Sequence, residues 1–276
     1  MRDTKNLYCL LTFKCNMKCD FCLFHKLKYN EIIEHEYIKK ITKILKLEKK
    51  QVHLKITGGE PLLKVNLIIK ILKLSNIYEN IMEIGIGTNG TIIIPDTFNI
   101  VKHPLMIYFS RHTINNNIEI SNICKNIHNP LIQIRLNCNL IKGYVDDEIG
   151  ILKYLDWAKK QNIEYVCFRE LNSLDIDTTN MYPHYIYDYD KYYKKNIISI
   201  EIRHTISKLI YNFSIVRPHD ENHFYTYNGM KISFRIVKEH KIREYNLKNK
   251  DIDEYVIHPD GLITGCWDRE LKILNI

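Results

Sequence analysis

Residues 7–22 read LYCLLTFKCNMKCDFC, a short apolar run followed at once by three cysteines in the spacing Cys-x3-Cys-x2-Cys. The apolar part, Leu7–Phe13, predicts a buried strand. Cys15, Cys19 and Cys22 would then lie on the loop that leaves the carboxyl end of this strand. Three thiols within eight residues of a chain without secretory features are typical of a metal site, and not of a disulfide framework.

Strand-like and helix-like segments alternate from this stretch through the first two thirds of the chain. Repeated units of this kind predict an α/β fold with a parallel sheet and helices outside it. Six units are too few for a closed barrel, so we expect a partial (β/α)6 barrel of the TIM type with its active site at the carboxyl ends of the strands. The predicted strands are Leu7–Phe13, Val52–Ile56, Met82–Gly87, Leu105–Phe109, Leu131–Asn137 and Tyr165–Arg169. The predicted helices are Glu34–Leu47, Val65–Leu74, Ile118–Ile127 and Asp146–Lys160.

The pattern changes after the sixth strand. We expect the barrel to occupy residues 1–195 and a β-rich extension, residues 196–276, to cover the active site. The tyrosine-rich segment Asn180–Tyr193 is predicted to be a surface segment, with a lid over the substrate as the alternative. The extension is predicted to be a β-meander with strands at Lys231–Val237, Ile242–Leu247, Glu254–His258 and Leu262–Cys266.

Composition excludes several classes of protein. The chain has 276 residues, 45% of them hydrophobic and 26% charged, as in ordinary globular proteins. No apolar stretch approaches the ~18 residues of a membrane helix, and the first residues lack the features of a signal peptide, so we expect a cytoplasmic protein. The formal charge of +8 comes from lysines spread along the whole chain. This distribution does not predict nucleic-acid binding, but a positive field favours a phosphorylated substrate.

Two further motifs follow the second and third strands. They are Thr57-Gly58-Gly59-Glu60-Pro61 and Gly87-Thr88-Asn89-Gly90. Adjacent glycines let the backbone approach a ligand closely, and a carboxylate at Glu60 accepts a hydrogen bond from a ligand ammonium group. The cysteine spacing alone leaves two sites open: an iron–sulfur cluster with one open iron, or a zinc site completed by His25. The two further motifs favour the cluster, because a zinc-binding nucleic-acid module needs neither of them.

In this order and context, the three motifs resemble the radical S-adenosylmethionine (SAM) superfamily over residues 6–170. The resemblance implies one [4Fe–4S] cluster on Cys15, Cys19 and Cys22, with SAM bound at the open iron. For Arg135, on the fifth strand, a structural salt bridge is the alternative to pairing with the SAM carboxylate. The implied SAM-binding residues are Phe21 near the adenine, Gly58, Gly59 and Glu60 at the amino group, Thr88 and Asn89 near the methionine part, Ser110 and Arg111 after the fourth strand, and Arg135.

Within the superfamily, the sequence is most similar to the branch that contains the GTP 3′,8-cyclase of molybdenum cofactor synthesis and the SPASM/twitch enzymes. The tail YVIHPDGLITGCW, residues 255–267, resembles their Asp-Gly hairpin. Those relatives hold auxiliary clusters with several tail cysteines, whereas Cys266 is the only cysteine here after residue 167. An auxiliary cluster on Cys138, Cys167 and Cys266 is not expected, because cluster ligands usually include a closely spaced pair.

Three residues are candidates for action on the substrate. Cys266 and Cys138 would donate a hydrogen atom to a carbon radical, and Glu170, after the sixth strand, would act as an acid/base group or bind the substrate. For each of them, core packing or a surface position is the alternative. Cys9 and Cys124 are expected to pack as small apolar side chains.

The resemblance implies an enzyme that reductively cleaves SAM to a 5′-deoxyadenosyl radical, which takes a hydrogen atom from a small, nucleotide-like or phosphorylated substrate. Flavodoxin or ferredoxin is the expected electron donor. The alternative is a radical SAM enzyme that epimerises or crosslinks a peptide. The missing auxiliary cysteines and the short segment before the first strand weaken that alternative.

Overall fold

A single sheet organises the described part of the protein. The computed structural model describes residues 4–22, 24, 30–114, 119–171, 195–196, 214–216, 220–237, 252 and 254–265. Within these residues the sheet has eleven strands, in the order β11-β10-β1-β2-β3-β4-β5-β6-β9-β8-β7. The strands are β1 Thr4–Leu10, β2 Gln51–Thr57, β3 Ile81–Thr88, β4 Leu105–Ser110, β5 Ile132–Leu140, β6 Tyr165–Glu170, β7 Ser214–Val216, β8 Asp220–Tyr227, β9 Met230–Val237, β10 Glu254–Ile257 and β11 Ile263–Thr264.

Strands β1 to β6 are parallel neighbours in sequence order, with helices between them. This arrangement confirms the predicted α/β fold of the partial-barrel type and all six predicted strands. The α-helices are α1 Glu34–Leu47, α2 Val65–Ser75, α3 Ile120–Ile123 and α4 Glu148–Lys160, and short 3₁₀ helices lie at Pro61–Lys64 and Asp96–Ile100. No helix in the described part of the chain is long and apolar enough to cross a membrane.

The prediction of a helix over Ile118–Ile127 was wrong in length, because α3 has a single turn. Asparagines after it bind the backbone of other loops instead of allowing the helix to continue. Asn126 Nδ2 donates to the Ile94 carbonyl at 3.2 Å, and Asn129 Nδ2 donates to the Val101 carbonyl at 2.9 Å. Asparagine side chains that bond the backbone in this way compete with helix formation.

The C-terminal strands extend both edges of the barrel sheet. Strand β9 pairs in parallel with β6, and β10 pairs in parallel with β1. The prediction of one β-meander was therefore wrong, because β9 and β10 lie at opposite ends of the six-stranded unit. An open barrel has two unpaired edges, and these strands cover them. The predicted strand Ile242–Leu247 and the tyrosine-rich segment Asn180–Tyr193 lie outside the described residues.

The two faces of the sheet differ in chemistry. Alternate residues of β1 to β6, such as Leu54, Ile84 and Phe109, pack against the helices in one apolar core. The residues between them point to the opposite face, which we call the inner face. Inner-face side chains in the described residues are mostly polar: Tyr8, Lys55, Glu83, Tyr108, Ser110, Arg135, Asn137, Tyr165, Cys167, Arg169, Ser233 and Arg235.

Candidate functional site

The cysteine loop follows β1 at the carboxyl end of the sheet. Backbone N–H groups donate to two of its sulfurs: Met17 to Cys15 Sγ and Phe24 to Cys22 Sγ, each at 3.4 Å. The Cys22 N–H also donates to the Cys19 carbonyl at 3.0 Å, which turns the loop between these two cysteines. Backbone donors that point at sulfur stabilise thiolates, the form in which cysteine binds metal.

The three thiols lie close enough for their charges to interact. The pKa of Cys19 is raised to about 11, first by burial and then by the negative charges of Cys22, Cys15 and Asp20. A cationic centre beside Cys19 would offset these effects and favour its thiolate. Among the described residues no three metal-ligating side chains are close enough to hold a single metal ion, so the role of Cys15, Cys19 and Cys22 as cluster ligands stays a prediction.

Glu60 ties the second motif to the third. Its carboxylate accepts hydrogen bonds at Oε1 from the Leu62 N–H and the Thr88 hydroxyl, both at 2.9 Å, and at Oε2 from the Asn89 N–H at 2.7 Å. The side chain is fully buried, and this burial raises its pKa despite the three donors. A carboxylate has about four acceptor positions, so roughly one position on Oε2 remains for a ligand donor.

The paired glycines approach the main chain that leads into the cysteine loop. The Gly59 N–H donates to the Thr12 carbonyl at 2.7 Å, and the Glu60 N–H donates to the Lys14 carbonyl at 2.8 Å. A Cβ on Gly59 would lie 2.2 Å from the Lys14 oxygen, and one on Gly58, with φ of +133°, would lie 2.4 Å from the Thr12 oxygen. The Cβ positions of both glycines therefore point at backbone, and the second motif packs directly on the chain that leads into the cysteine loop.

Asn89 completes this frame from the third motif. Its Nδ2 group donates to Asn16 Oδ1 at 2.7 Å and lies 3.6 Å from Cys15 Sγ, within reach of a weak N–H···S hydrogen bond. One side chain thus joins the loop after β3 to both Cys15 and its neighbour Asn16. Asn89, predicted together with Thr88 to lie near SAM, is placed beside Cys15, whereas the Thr88 hydroxyl donates to Glu60.

Ser110 and Arg111 point in different directions at the end of β4. Ser110 continues the inner face, whereas Arg111 is buried on the other side, where Nη2 donates to the Gly90 carbonyl at 2.6 Å. The Arg111 Nε atom has no hydrogen-bond partner among the described residues, and burial lowers the pKa of this guanidinium group. In this position Arg111 braces the turn of the third motif.

His112 is a site residue that the sequence motifs did not predict, although it directly follows Ser110 and Arg111 at a strand end. Its ring contacts Phe21 edge-on, with centroids 4.8 Å apart, and Nδ1 accepts a hydrogen bond from the Asn139 N–H at 2.9 Å. Burial, and then the charges of Arg169 and Arg111, lowers the pKa of His112 to about 4. His112 is therefore neutral at physiological pH.

Arginines on neighbouring strands make part of the inner face positive. The Arg135 guanidinium stacks between the rings of Tyr108 and Tyr165, 4.1 and 5.1 Å from their centroids. Arg169 and Arg235 are cross-strand partners. Burial, followed by the charges of Arg235 and Arg135, lowers the pKa of Arg169.

The candidates for action on the substrate are not brought together. Cys138 is fully buried in the core on the helix side of β5, beside Tyr154, so its thiol does not reach the inner face. Glu170 ends β6 on the face of Phe168, opposite Arg169. Cys266 lies outside the described residues. Cys9 and Cys124 pack in or against the core, as expected.

Comparison with known proteins matches residues 9–167, more than half of the chain, to the model of the radical SAM superfamily. The chain belongs to the radical SAM superfamily. Enzymes of this family bind a [4Fe–4S] cluster and SAM. The matched residues contain all three sequence motifs and strands β2 to β5.

Relatives within the superfamily include GTP 3′,8-cyclases. That of Staphylococcus epidermidis is 29% identical over 201 residues, which cover 65% of this chain but only 57% of the relative. That of Aquifex aeolicus is 29% identical over 199 residues, covering 65% of this chain and 59% of the relative. This radical SAM protein thus matches little more than half of the length of each.

Solved radical SAM structures have a similar fold. Streptococcus suis SuiB bound to S-adenosylmethionine aligns with a TM-score of 0.59 at 15% identity, over 95% of this chain and 60% of SuiB. The protein anSMEcpe with bound AdoMet and the Kp18Cys peptide aligns with a TM-score of 0.51 at 15% identity, over 61% of this chain and 51% of that protein. At these identities the similarity concerns the fold alone.

Proposed function

We propose that this protein is an enzyme that reductively cleaves SAM and takes a hydrogen atom from a small anionic substrate. The observation that carries the proposal is the frame around the cysteine loop, in which Glu60 binds Asn89 and Asn89 reaches Cys15. This frame holds three thiols at the carboxyl end of the sheet, where barrel enzymes place their chemistry. When bound there, the cluster supplies the electron that splits SAM into methionine and a 5′-deoxyadenosyl radical.

The residues of the chain would bind the cluster and orient SAM. Cys15, Cys19 and Cys22 would hold three irons, which leaves one open for the amino and carboxylate groups of SAM. The free acceptor position on Oε2 of Glu60 would bind the SAM ammonium group by a charge-assisted hydrogen bond. Ser110, at the rim of the inner face, is the polar group of β4 that would contact SAM.

The positive charges on the inner face favour an anionic substrate. Arg169 and Arg235 are cross-strand partners on β6 and β9, and the charge of Arg235 contributes, after burial, to the lowered pKa of Arg169. An oxyanion beside Arg169 would stabilise its positive charge, and guanidinium groups bind phosphate or carboxylate with two parallel hydrogen bonds. A phosphorylated or nucleotide-like substrate fits this chemistry, in line with the names of the GTP 3′,8-cyclase relatives.

A peptide substrate is the second candidate. The Asp-Gly hairpin that resembles SPASM/twitch enzymes is formed, with the His258 N–H donating to the Leu262 carbonyl at 2.9 Å and Gly261 at φ of +81°. The solved anSMEcpe structure with a bound peptide has a similar fold. For either substrate we propose a flavodoxin or ferredoxin as electron donor and a cytoplasmic location.

The test is anaerobic reconstitution with iron and sulfide. We expect a brown protein with about four irons per chain and absorbance near ~400 nm, as for one thiolate-bound cubane. With SAM and a chemical reductant it should release 5′-deoxyadenosine. A colourless protein with one zinc per chain would overturn the proposal. A count near eight irons would instead show an auxiliary cluster.

The substrate class is tested by binding to the same protein. GTP should bind more tightly than guanosine, and Arg169→Met should remove most of that difference by taking away one cation of the pair. Equal affinity for GTP and guanosine in the unaltered protein would contradict an anionic substrate and favour the peptide candidate.

A further inference from the structure

The ring of His112 is held from two directions. Nδ1 accepts the Asn139 N–H at 2.9 Å, and the ring contacts the side chain of Phe21 edge-on at a centroid distance of 4.8 Å. Because Nδ1 is an acceptor, the proton of the neutral ring is on Nε2. This tautomer follows from the hydrogen-bond network. Within the described part of the chain, no residue accepts a hydrogen bond from Nε2.

The surroundings keep this donor neutral. Arg169 and Arg111 both act on the ring, and with burial they hold the pKa of His112 at about 4. A neutral imidazole has one N–H, and here its direction is set by the bond at the opposite nitrogen. Such a group is a fixed, uncharged donor, suited to a neutral acceptor such as a ring nitrogen or a hydroxyl oxygen.

The donor lies beside the cysteine loop. Phe21 lies between Cys19 and Cys22, and His112 follows β4 at the same end of the sheet. An aromatic ring beside a fixed N–H is the combination that recognises a purine, by ring contact and by a hydrogen bond to its edge. SAM has one such group, its adenine, attached to a ribose with further acceptors.

We propose that His112 donates its Nε2–H to an acceptor on the adenosyl group of SAM and so determines how that group is oriented beside Phe21. This inference rests on the proposed function, because it needs a bound cluster and SAM. It goes beyond that function by assigning the recognition of adenosine to a residue outside the three motifs. The competing role is structural, in which His112 only packs on Phe21 and accepts the Asn139 N–H.

Three variants separate these roles. His112→Phe keeps a ring against Phe21 but has no donor. His112→Asn keeps an oxygen that can accept the Asn139 N–H but has no group at the Nε2 position. His112→Gln can place an amide N–H near the Nε2 position. Iron content and a melting curve for each variant establish that it is folded and loaded with its cluster.

The probes are SAM, 5′-deoxyadenosine and L-methionine, titrated calorimetrically into the reconstituted proteins without oxygen. We expect His112→Phe and His112→Asn to bind SAM and 5′-deoxyadenosine on the order of tenfold more weakly, as for one lost hydrogen bond. His112→Gln should remain within about threefold of the unaltered protein, and L-methionine affinity should not change in any variant.

Two results would overturn the inference. One is unchanged affinity for SAM and 5′-deoxyadenosine in a folded, iron-loaded His112→Asn protein. The other is an equal loss of affinity for L-methionine, which would show a general disturbance of the site. Failure of the proposed function is a different result, since the unaltered protein itself would then lack four irons or fail to bind SAM.

Discussion

Oε2 of Glu60 accepts a hydrogen bond from the backbone N–H of Asn89 at 2.7 Å, which joins the loop after β2 to the loop after β3. Oε1 of the same carboxylate accepts the Thr88 hydroxyl and the Leu62 N–H. Glu60 is thus a structural junction that leaves about one acceptor position on Oε2 unused among the described residues. Glu60 holds the two loops together and is proposed to bind the SAM ammonium group. A substitution should therefore lower both stability and SAM affinity.

Glu60→Gln should weaken both stability and SAM binding. The amide replaces one oxygen with an NH2 group, so at least one buried donor faces another donor. We expect a loss of about 1–3 kcal/mol in the free energy of unfolding and a tenfold to hundredfold weaker SAM affinity. Melting curves and calorimetric titration measure the two effects. Glu48→Gln is the matched control, because Glu48 also accepts the N–H two residues ahead but follows the last residue of α1, at the end of the sheet opposite the cysteine loop. A Glu60→Gln protein with unchanged SAM affinity would remove the binding role.

Gly59→Ala should lower the iron content of the reconstituted protein. The added Cβ would lie 2.2 Å from the Lys14 oxygen, next to Cys15, and backbone atoms at that distance have to move. Gly143→Ala is the control for general loss of stability, because it introduces strain at φ of +84° with no atom within 4 Å of the new Cβ. Iron analysis should separate the two variants. Equal iron content at equal stability would mean that the cysteine loop tolerates the shift.

The sequence was sufficient for the barrel strands because apolar periodicity and strand-end motifs repeat in each unit. It did not reveal that β9 and β10 pair with opposite edges of the sheet, since strand pairing between distant segments leaves no local pattern. It also predicted a ligand as the group that the paired glycines approach. A glycine pair indicates close approach but not the partner, which here is the backbone of Lys14. Whether Cys138 packs in the core or faces the substrate could not be decided from sequence, because a shift of one residue in the register of β5 changes the face; the structure places it in the core.

Replacing any one of Cys15, Cys19 and Cys22 by alanine should abolish SAM cleavage and remove most of the iron. The reason is that each thiolate holds one iron of the cubane. Cys9→Ala should retain its iron, because Cys9 is fully buried in the core on the helix side of β1. It should lose only stability, through the small cavity it leaves. Full cluster content in Cys19→Ala would contradict the assignment of the ligands.

The depressed pKa of His112 predicts a pH-dependent contribution to stability. The folded-state pKa of about 4 lies below the ordinary value of 6.5, so the unfolded chain binds the proton more tightly between these values. The contribution of His112 is therefore fully present above pH 6.5 and is lost as the pH falls towards 4. Urea unfolding at pH 7.5, 6 and 5 should show a smaller decrease in His112→Asn, which keeps an acceptor for the Asn139 N–H but does not titrate. Parallel decreases in both proteins would show that the ring is not neutral in the folded state.

The contact between Asn89 Nδ2 and Cys15 Sγ predicts an effect on the cluster potential. An N–H donor near a ligand sulfur stabilises the more negative, reduced cluster, so its loss makes the reduction potential more negative. Asn89→Ala should therefore be harder to reduce than the unaltered protein, as measured by a redox titration followed by electron paramagnetic resonance without SAM. Asn16→Ala is the control, because it removes the 2.7 Å bond between the two asparagines but leaves the donor at 3.6 Å from the sulfur. A similar change of the reduction potential in both variants would mean that Asn89 acts by holding the loop in place. An unchanged potential in both would mean that the N–H···S contact is not made when the cluster is bound.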